Sequence, residues 1–224
     1  MTKDNKIETS LTTLGSTSLV KVSNSIEITN KIIKEYKDRI NNNFIQTVKI
    51  VNQIWMTKNL DVDCYANGDK IPEVQNPEEW DNLKIGAWCY FNNDPTNKER
   101  NGKLYNWYAV NDPRGLAPEG YHIPNIDEWS QLVSYFNEFN SIVKSKDFLS
   151  ENLWLDEFGF TSLPAEHIYI RNFMDFENST VWWSSTHLFD DLIYISIVLD
   201  HQSQSMTTVN SGPNSGFSVR CIKN

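Results

Sequence analysis

The side chains able to bind a metal or move a proton are few and widely spaced. The four histidines, His122, His167, His187 and His201, stand singly. No two have the close spacing that metal sites use. The three cysteines, Cys64, Cys89 and Cys221, are odd in number, so at least one thiol is unpaired and no disulfide framework is indicated. We read all three as reduced, small core residues. Serine nucleophile elbows, phosphate-binding loops and dinucleotide glycine patterns are absent. Asn92-Asn93-Asp94-Pro95-Thr96-Asn97 is rich in oxygen atoms. It lacks calcium-loop spacing and the closing bidentate Glu, so it reads as a turn. The expectation is a non-enzyme with no metal and no cofactor.

Recognition chemistry is concentrated later in the chain. His187, Phe189, Asp190, Asp191, Tyr194, Asp200, His201 and Gln202 combine rings, carboxylates and an amide, and Asn210 follows. Such a mixture suits a sugar or a protein surface, where rings stack and short polar groups fix orientation. The plainer reading is a solvated hairpin with a few exposed aromatics.

These residues need a frame, and its centre is Gly102–Trp129. Leu104, Trp107 and Tyr108 fall at helical offsets, which predicts a short helix over 103–110. Asn111-Asp112-Pro113 ends it, and 114–120 is turn chemistry. A second short helix starts at Asn125, with Glu128 three residues on as a capping box. Trp129, Leu132, Val133 and Phe136 would face the core. Pro77-Glu78-Glu79-Trp80 could open another helix.

Strands surround this centre. Val48, Ile50 and Ile54 alternate, as do Phe217, Val219 and Cys221. Ala87–Phe91 is a short strand. Phe158, Phe160 and Leu163 alternate, and 164–170 leads into a further strand. Residues 172–180 read as a surface loop. Val181–Thr186 begins the last sheet. Ile193, Ile195, Ile197 and Leu199 share one deeply apolar face of the next strand, and Met206, Thr208 and Val209 mark another.

Residues 1–46 differ in composition. Asn24 and Glu27 have capping-box spacing ahead of Ile28, Ile32, Tyr36 and Ile40, which recur every four residues. This predicts an amphipathic helical segment, whose apolar stripe must bury against something. Two options stand open: packing on its own domain, or binding a partner protein or a second copy. The boundary is placed so that 1–46 is a helical segment and 47–224 the main domain.

The chain of 224 residues is long enough for one substantial core. A formal charge of −9 argues against nucleic acid or an anionic membrane as the default partner. No run of about eighteen apolar residues is present, so no membrane span is expected. The first residues lack an apolar signal-peptide core. That predicts a cytoplasmic protein, or export by a specialised machine.

Several motifs occur in a recognisable order: Gln53-Ile54-Trp55-Met56-Thr57-Lys58-Asn59-Leu60, Gly86-Ala87-Trp88-Cys89-Tyr90 and Gly102-Lys103-Leu104-Tyr105-Asn106-Trp107-Tyr108. They continue through Leu116–Pro124, Glu128-Trp129, Trp182-Trp183-Ser184-Ser185-Thr186 and Gly216-Phe217-Ser218-Val219-Arg220-Cys221. In these the chain resembles the Fibrobacter succinogenes major paralogous domain family over residues 47–224. The resemblance implies an α+β, C-type-lectin-like fold with two short helices and mixed or antiparallel sheets, related to the formylglycine-generating-enzyme fold. It also implies that the first and last strands pair, and that a ligand meets the C-terminal loops. The leading expectation is therefore a non-catalytic module that binds a protein or glycan there, with the N-terminal helix as adaptor or oligomerisation element. The alternatives are an enzyme using Cys89 and Cys221, after the copper-binding cysteine pair of the formylglycine-generating relatives, and a structural scaffold. A calcium-dependent sugar site needs an acid or amide before proline, which Gly212-Pro213-Asn214 lacks.

Overall fold

A computed structural model describes residues 45–145, 160, 167–169, 172–174, 179–188, 193–203 and 205–224. Ile28, Ile32, Tyr36 and Ile40 lie outside the described residues, as do Phe189, Asp190 and Asp191. Backbone contacts group Gln46–Asn224 into one compact unit, and it is an α+β unit built on antiparallel sheets.

The unit opens with β1 (Thr47–Ile50) and β2 (Gln53–Met56). A single strand was expected over 48–54. Instead Ile50 pairs with Gln53 across a two-residue turn, in which Val51 is left-handed at φ 54°. Val48, Ile50 and Ile54 keep one parity through the turn, so alternation alone hides it. The usual Asn-Gly signal is missing.

Next come α1 (Pro77–Asp81), β3 (Trp88–Cys89), α2 (Lys98–Asn101), β4 (Leu104–Tyr105) and α3 (Trp107–Val110). The expected α1 is present. The Asn76 side chain accepts from Glu78 N and Glu79 N, and Pro77 sits at the first position. The expected helix over 103–110 is half wrong. Leu104 and Tyr105 pair with Cys89 and Trp88 as a strand, and the helix begins only after Asn106. That side chain accepts from Ala109 N at 3.0 Å and Ala87 N at 3.0 Å, and donates to Ile85 O at 2.9 Å. One buried asparagine thus caps α3 and ties it to the segment that leads into β3.

After β5 (Tyr121–His122), α4 spans Ile126–Ser145. Its 20 residues make it longer than the short helix expected. The capping box is fully formed: Glu128 N donates to Asn125 Oδ1 at 3.0 Å, and Asn125 N to Glu128 Oε2 at 2.8 Å. Trp129, Leu132 and Phe136 are buried, as their spacing predicts.

The last sheets follow: β6 (His167–Tyr169), β7 (Asn172–Met174), β8 (Ser179–Leu188), β9 (Ile193–Asp200), β10 (Ser205–Ser211) and β11 (Ile222–Lys223). The loop expected over 172–180 is replaced at its two ends by β7, which pairs with β6, and by the start of β8. Strand order is β1-β2-β11-β5 in one sheet and β10-β9-β8 in another. The two ends of the unit therefore meet, as expected: Ile222 pairs with Trp55, and Met56 N donates to Cys221 O at 2.9 Å.

The main core lies between α4 and one face of the β8–β10 sheet. Trp55, Trp129, Phe136, Phe160, Trp182, Ile197 and Leu199 are among its members. Fully burying each such side chain contributes roughly 1.5–3 kcal/mol. Trp55 and Trp129 meet at 4.7 Å, and Trp129 stacks on Trp182 at 5.8 Å. A bulge at Ser184–Thr186 interrupts the β8 register. It presents Thr186 Oγ1 to Ile126 N at 2.9 Å, while Ser185 N donates to Pro124 O at 2.8 Å. The bulge holds the first turn of α4.

Candidate functional site at the end of the C-terminal sheet

Cross-strand partners project to the same face of a sheet. In β8–β10 the core face carries Trp182 with Ile197, and the opposite face carries Trp183 with Ser196 and His187 with Tyr194. Adjacent tryptophans in one strand point to opposite faces, so Trp183 leaves the main core and enters a second aromatic group. Its indole donates to Tyr105 O at 2.7 Å.

Trp107 organises that group. α3 places its ring 5.5 Å from Trp183, 4.9 Å from Tyr194 and 5.9 Å from His187. Its backbone N donates to Pro213 O at 2.9 Å, which pulls the 211–216 turn over the group. Trp107, Trp183 and Tyr194 are buried, whereas His187 is exposed. Leu188, next along β8 and so directed to the opposite face, is 44% exposed. The result is an imidazole presented at the surface on a rigid aromatic floor.

The residues expected to bind ligand do not form one cluster. His187 and Tyr194 are cross-strand neighbours at one end of β9. Asp200, His201 and Gln202 lie at the other end. Tyr194 and Asp200 are six positions apart, about 20 Å along a strand. Asp200 is engaged in its own turn, accepting from Ser203 N at 2.6 Å. That bond holds its carboxyl below the ordinary carboxylate range. His201 Nε2 lies 2.8 Å from Thr180 Oγ1, and Gln202 is exposed in the turn. Asn210 is exposed on β10 opposite Ile195, and so projects to the other face from Tyr194. Trp107 and Trp183 form the floor of the His187 end. In the sequence they mark only a helix face and a strand start; the fold shows what they support.

The cysteine chemistry is unfavourable. All three thiols are free, and Cys89 and Cys221 are buried. Burial pushes the Cys221 thiol up to about 12 and Cys89 above its ordinary range, with Glu73 adding to the second. Such thiols stay protonated, and the thiolate is the nucleophile and metal ligand. In the 92–97 turn Asp94 accepts from Thr96 N at 2.9 Å and Thr96 Oγ1 at 2.8 Å. Among the described residues no cluster of His, Cys, Asp and Glu is arranged to hold a metal. No helix among them is long and apolar enough to cross a membrane.

The model of the Fibrobacter succinogenes major domain matches residues 48–223, more than half of the chain. The chain belongs to this family. No curated protein and no solved structure matches it. In this member of the Fibrobacter succinogenes major domain family, the motif residues serve as internal braces. Asn59 Oδ1 accepts from Trp182 Nε1 at 2.9 Å and from Arg220 Nε and Nη2 at 3.0 and 2.7 Å. Gly102, at φ 65°, passes Leu60 O so closely that a Cβ would collide with it. Lys103 Nζ reaches Asp61 Oδ1 at 2.7 Å and lies 4.4 Å above the Trp88 ring.

Proposed function

We propose that the chain is a non-catalytic recognition module of the C-type-lectin-like class. It binds a protein or glycan through the His187 end of the C-terminal sheet. The observation that carries this reading is the exposed imidazole of His187 standing on the buried Trp107 ring, with Leu188 exposed on the other face of the same strand end. A rigid aromatic support with a polar tip suits stacking against a sugar ring or an anchor residue of a protein. The lectin-like assignment is supported by the pairing of β2 with β11 and by a long helix packed beneath a three-stranded sheet. The N-terminal segment, with Ile28, Ile32, Tyr36 and Ile40, serves as adaptor or oligomerisation element in this reading. The enzyme reading draws no support from Cys89 or Cys221, whose thiols are buried and protonated.

The test uses the full chain, His187→Ala and Leu188→Ser on a glycan array, and in cross-linking capture from native lysate. Loss of one of these anchors is expected to weaken binding about tenfold or more, with an unchanged melting temperature. Equal binding by all three proteins would reject the site.

A further inference from the structure

The chain contains two Asn-Gly pairs, Asn67-Gly68 and Asn101-Gly102. Asparagine before glycine can cyclise, because glycine has no Cβ to hinder its backbone nitrogen. That nitrogen attacks the asparagine Cγ, so the carboxamide must reach its own main chain. The fold treats the two pairs in opposite ways.

Asn101 is locked in place. It is 0% exposed and ends α2, with Gly102 N donating to Lys98 O at 2.9 Å. Its carbonyl accepts from Asn59 Nδ2 at 3.1 Å and from Ser218 Oγ at 2.8 Å. Leu60 O crowds Gly102, so the main chain there cannot rearrange into a ring without disturbing the core.

Asn67 is open. Residues 66–70 are all exposed and form the tip of a small hairpin in which Cys64 bridges Lys70. Tyr65 N donates to Asp69 O and Gly68 N to Tyr65 O, both at 2.9 Å. Gly68 is left-handed at φ 92°, as in a three-residue loop closed by a glycine bulge. Asp69 N donates to Asn67 Oδ1 at 3.0 Å. That bond folds the carboxamide back along its own main chain, the direction ring closure needs. The Gly68–Tyr65 bond restrains the attacking nitrogen, but it closes an exposed loop tip, where local opening costs least.

We propose that Asn67 is a self-modification site, which the fold leaves open while it protects Asn101. Gly68 N bonds to Asn67 Cγ, the Cγ–Nδ2 bond breaks, and the Gly68 proton leaves with that nitrogen as ammonia. Water then opens the imide ring at either carbonyl and gives aspartate or isoaspartate. Either product replaces a donor by a carboxylate. Asn67 Nδ2 donates to Asp69 Oδ2 at 3.0 Å, and with Arg114 it holds the Asp69 carboxyl below the ordinary carboxylate range. A new carboxylate would oppose Asp69 and compete for Arg114, whose Nη1 meets Asp69 Oδ2 at 3.1 Å. Isoaspartate also adds a methylene to the main chain of the loop, which the Tyr65–Asp69 pairing cannot absorb. The hairpin is clipped to the 112–115 turn by Ala66 N, which donates to Gly115 O at 2.7 Å, and by the Arg114 guanidinium 4.0 Å from the Tyr65 ring. Conversion therefore loosens the two loops together.

The experiment incubates the folded full chain at mildly alkaline pH. Mass spectrometry of the digested chain reads each Asn-Gly peptide for replacement of NH2 by OH, and enzymatic methylation detects isoaspartate. Asn67→Ser, which keeps a turn-forming oxygen but has no carboxamide, is compared, as is wild type held unfolded in urea. Folded wild type should convert at Asn67 and not at Asn101. Asn67→Ser should lose the isoaspartate signal at that loop, and the urea sample should convert at both pairs. Amide exchange at Ala66 should quicken in the converted chain. Asn67 that stays intact in the folded chain but converts in urea overturns the proposal, because the loop then shields it. Conversion of folded Asn101 as fast as Asn67 overturns the selection by the fold, and unchanged exchange at Ala66 overturns the loosening.

Discussion

Replacing Asn59 by alanine is expected to destabilise the domain by about 4 kcal/mol, and the figure follows from the partners left behind. Arg220 and Trp182 are 2% and 0% exposed. Their three N–H groups converge on the single oxygen Asn59 Oδ1. Arg220 Cζ also lies 4.4 Å from the Phe160 ring and 5.3 Å from Trp182, so its charge is held by π faces and one amide oxygen. Arg220 Nη1 has no hydrogen-bond partner, and burial depresses the proton affinity of the guanidinium. Each orphaned buried donor costs roughly 1–3 kcal/mol, and more for a charged group. Partial reorientation of the arginine keeps the total near the lower end of that sum. In a domain of this size, about 4 kcal/mol lowers the melting temperature by roughly 8–16 °C. Asn59→Asp keeps the acceptor, adds a charge facing Arg220 and loses the 3.1 Å bond from Asn59 Nδ2 to Asn101 O. It should stay within about 1 kcal/mol of wild type. Thermal and urea unfolding of Asn59→Ala, Asn59→Asp, Arg220→Met and the double variant Asn59→Ala/Arg220→Met completes the test. The double variant should lose much less than the sum of its parts, because the orphaned charge is gone. Additive losses, or a loss below about 1 kcal/mol in Asn59→Ala, would refute the reasoning.

Asn125→Ala removes one half of the capping box and should cost about 1 kcal/mol in urea unfolding. Glu128→Ala should cost more, because Glu128 Oε1 also lies 2.8 Å from His122 Nε2. Alkaline pH should destabilise the fold through its buried thiols. The folded Cys221 keeps its proton up to about 12, while an unfolded thiol releases it near about 8.5. The unfolded state then binds fewer protons, so this contribution is fully present below the unfolded value and is lost as pH rises. Cys221→Ala should therefore flatten the fall in urea midpoint above about pH 8.5; an unchanged slope would contradict it.

The parts of the fold legible in the sequence are those whose signal and cause lie within a few residues. The α4 capping box needs only Asn125 and Glu128, and α1 needs only Pro77 and the acids Glu78 and Glu79; both helices formed as read. The Ile193–Leu199 alternation likewise gave β9. Misreadings came where a distant partner decides. Leu104 and Tyr105 have helical spacing with Trp107 and Tyr108, yet Trp88 and Cys89 claim them as a strand. Tyr194, expected among the ligand-binding residues, and Ser196 on the same face of β9 are both buried. Trp107 covers Tyr194, and Ser211 Oγ meets Ser196 Oγ at 2.7 Å. The candidate site was legible as chemistry but not as geometry. Residue types alone could not tell that eight residues of extended β9 hold His187 and Asp200 at opposite ends.

The motifs that carry the family resemblance spend their polar groups internally. Asn59 gathers Trp182 and Arg220, and Asn106 gathers Ala87, Ala109 and Ile85. Ser185 and Thr186 hold the start of α4. Asn214, outside those motifs, does the same work: its Nδ2 donates to Trp80 O at 2.9 Å and Leu83 O at 3.1 Å, and its carbonyl accepts from Trp80 Nε1 at 2.6 Å. Groups occupied in this way have little left to offer a ligand. The His187–Leu188 end of β8 lies outside the quoted motifs. Frame and recognition are thus assigned to different residues, and the two should separate cleanly. Changes at Asn59 or Asn106 should lower stability first and binding only in proportion to unfolding. Changes at His187 should alter binding while the unfolding midpoint stays fixed. A variant at His187 that lost stability as steeply as Asn59→Ala would mean that the aromatic floor is itself part of the frame.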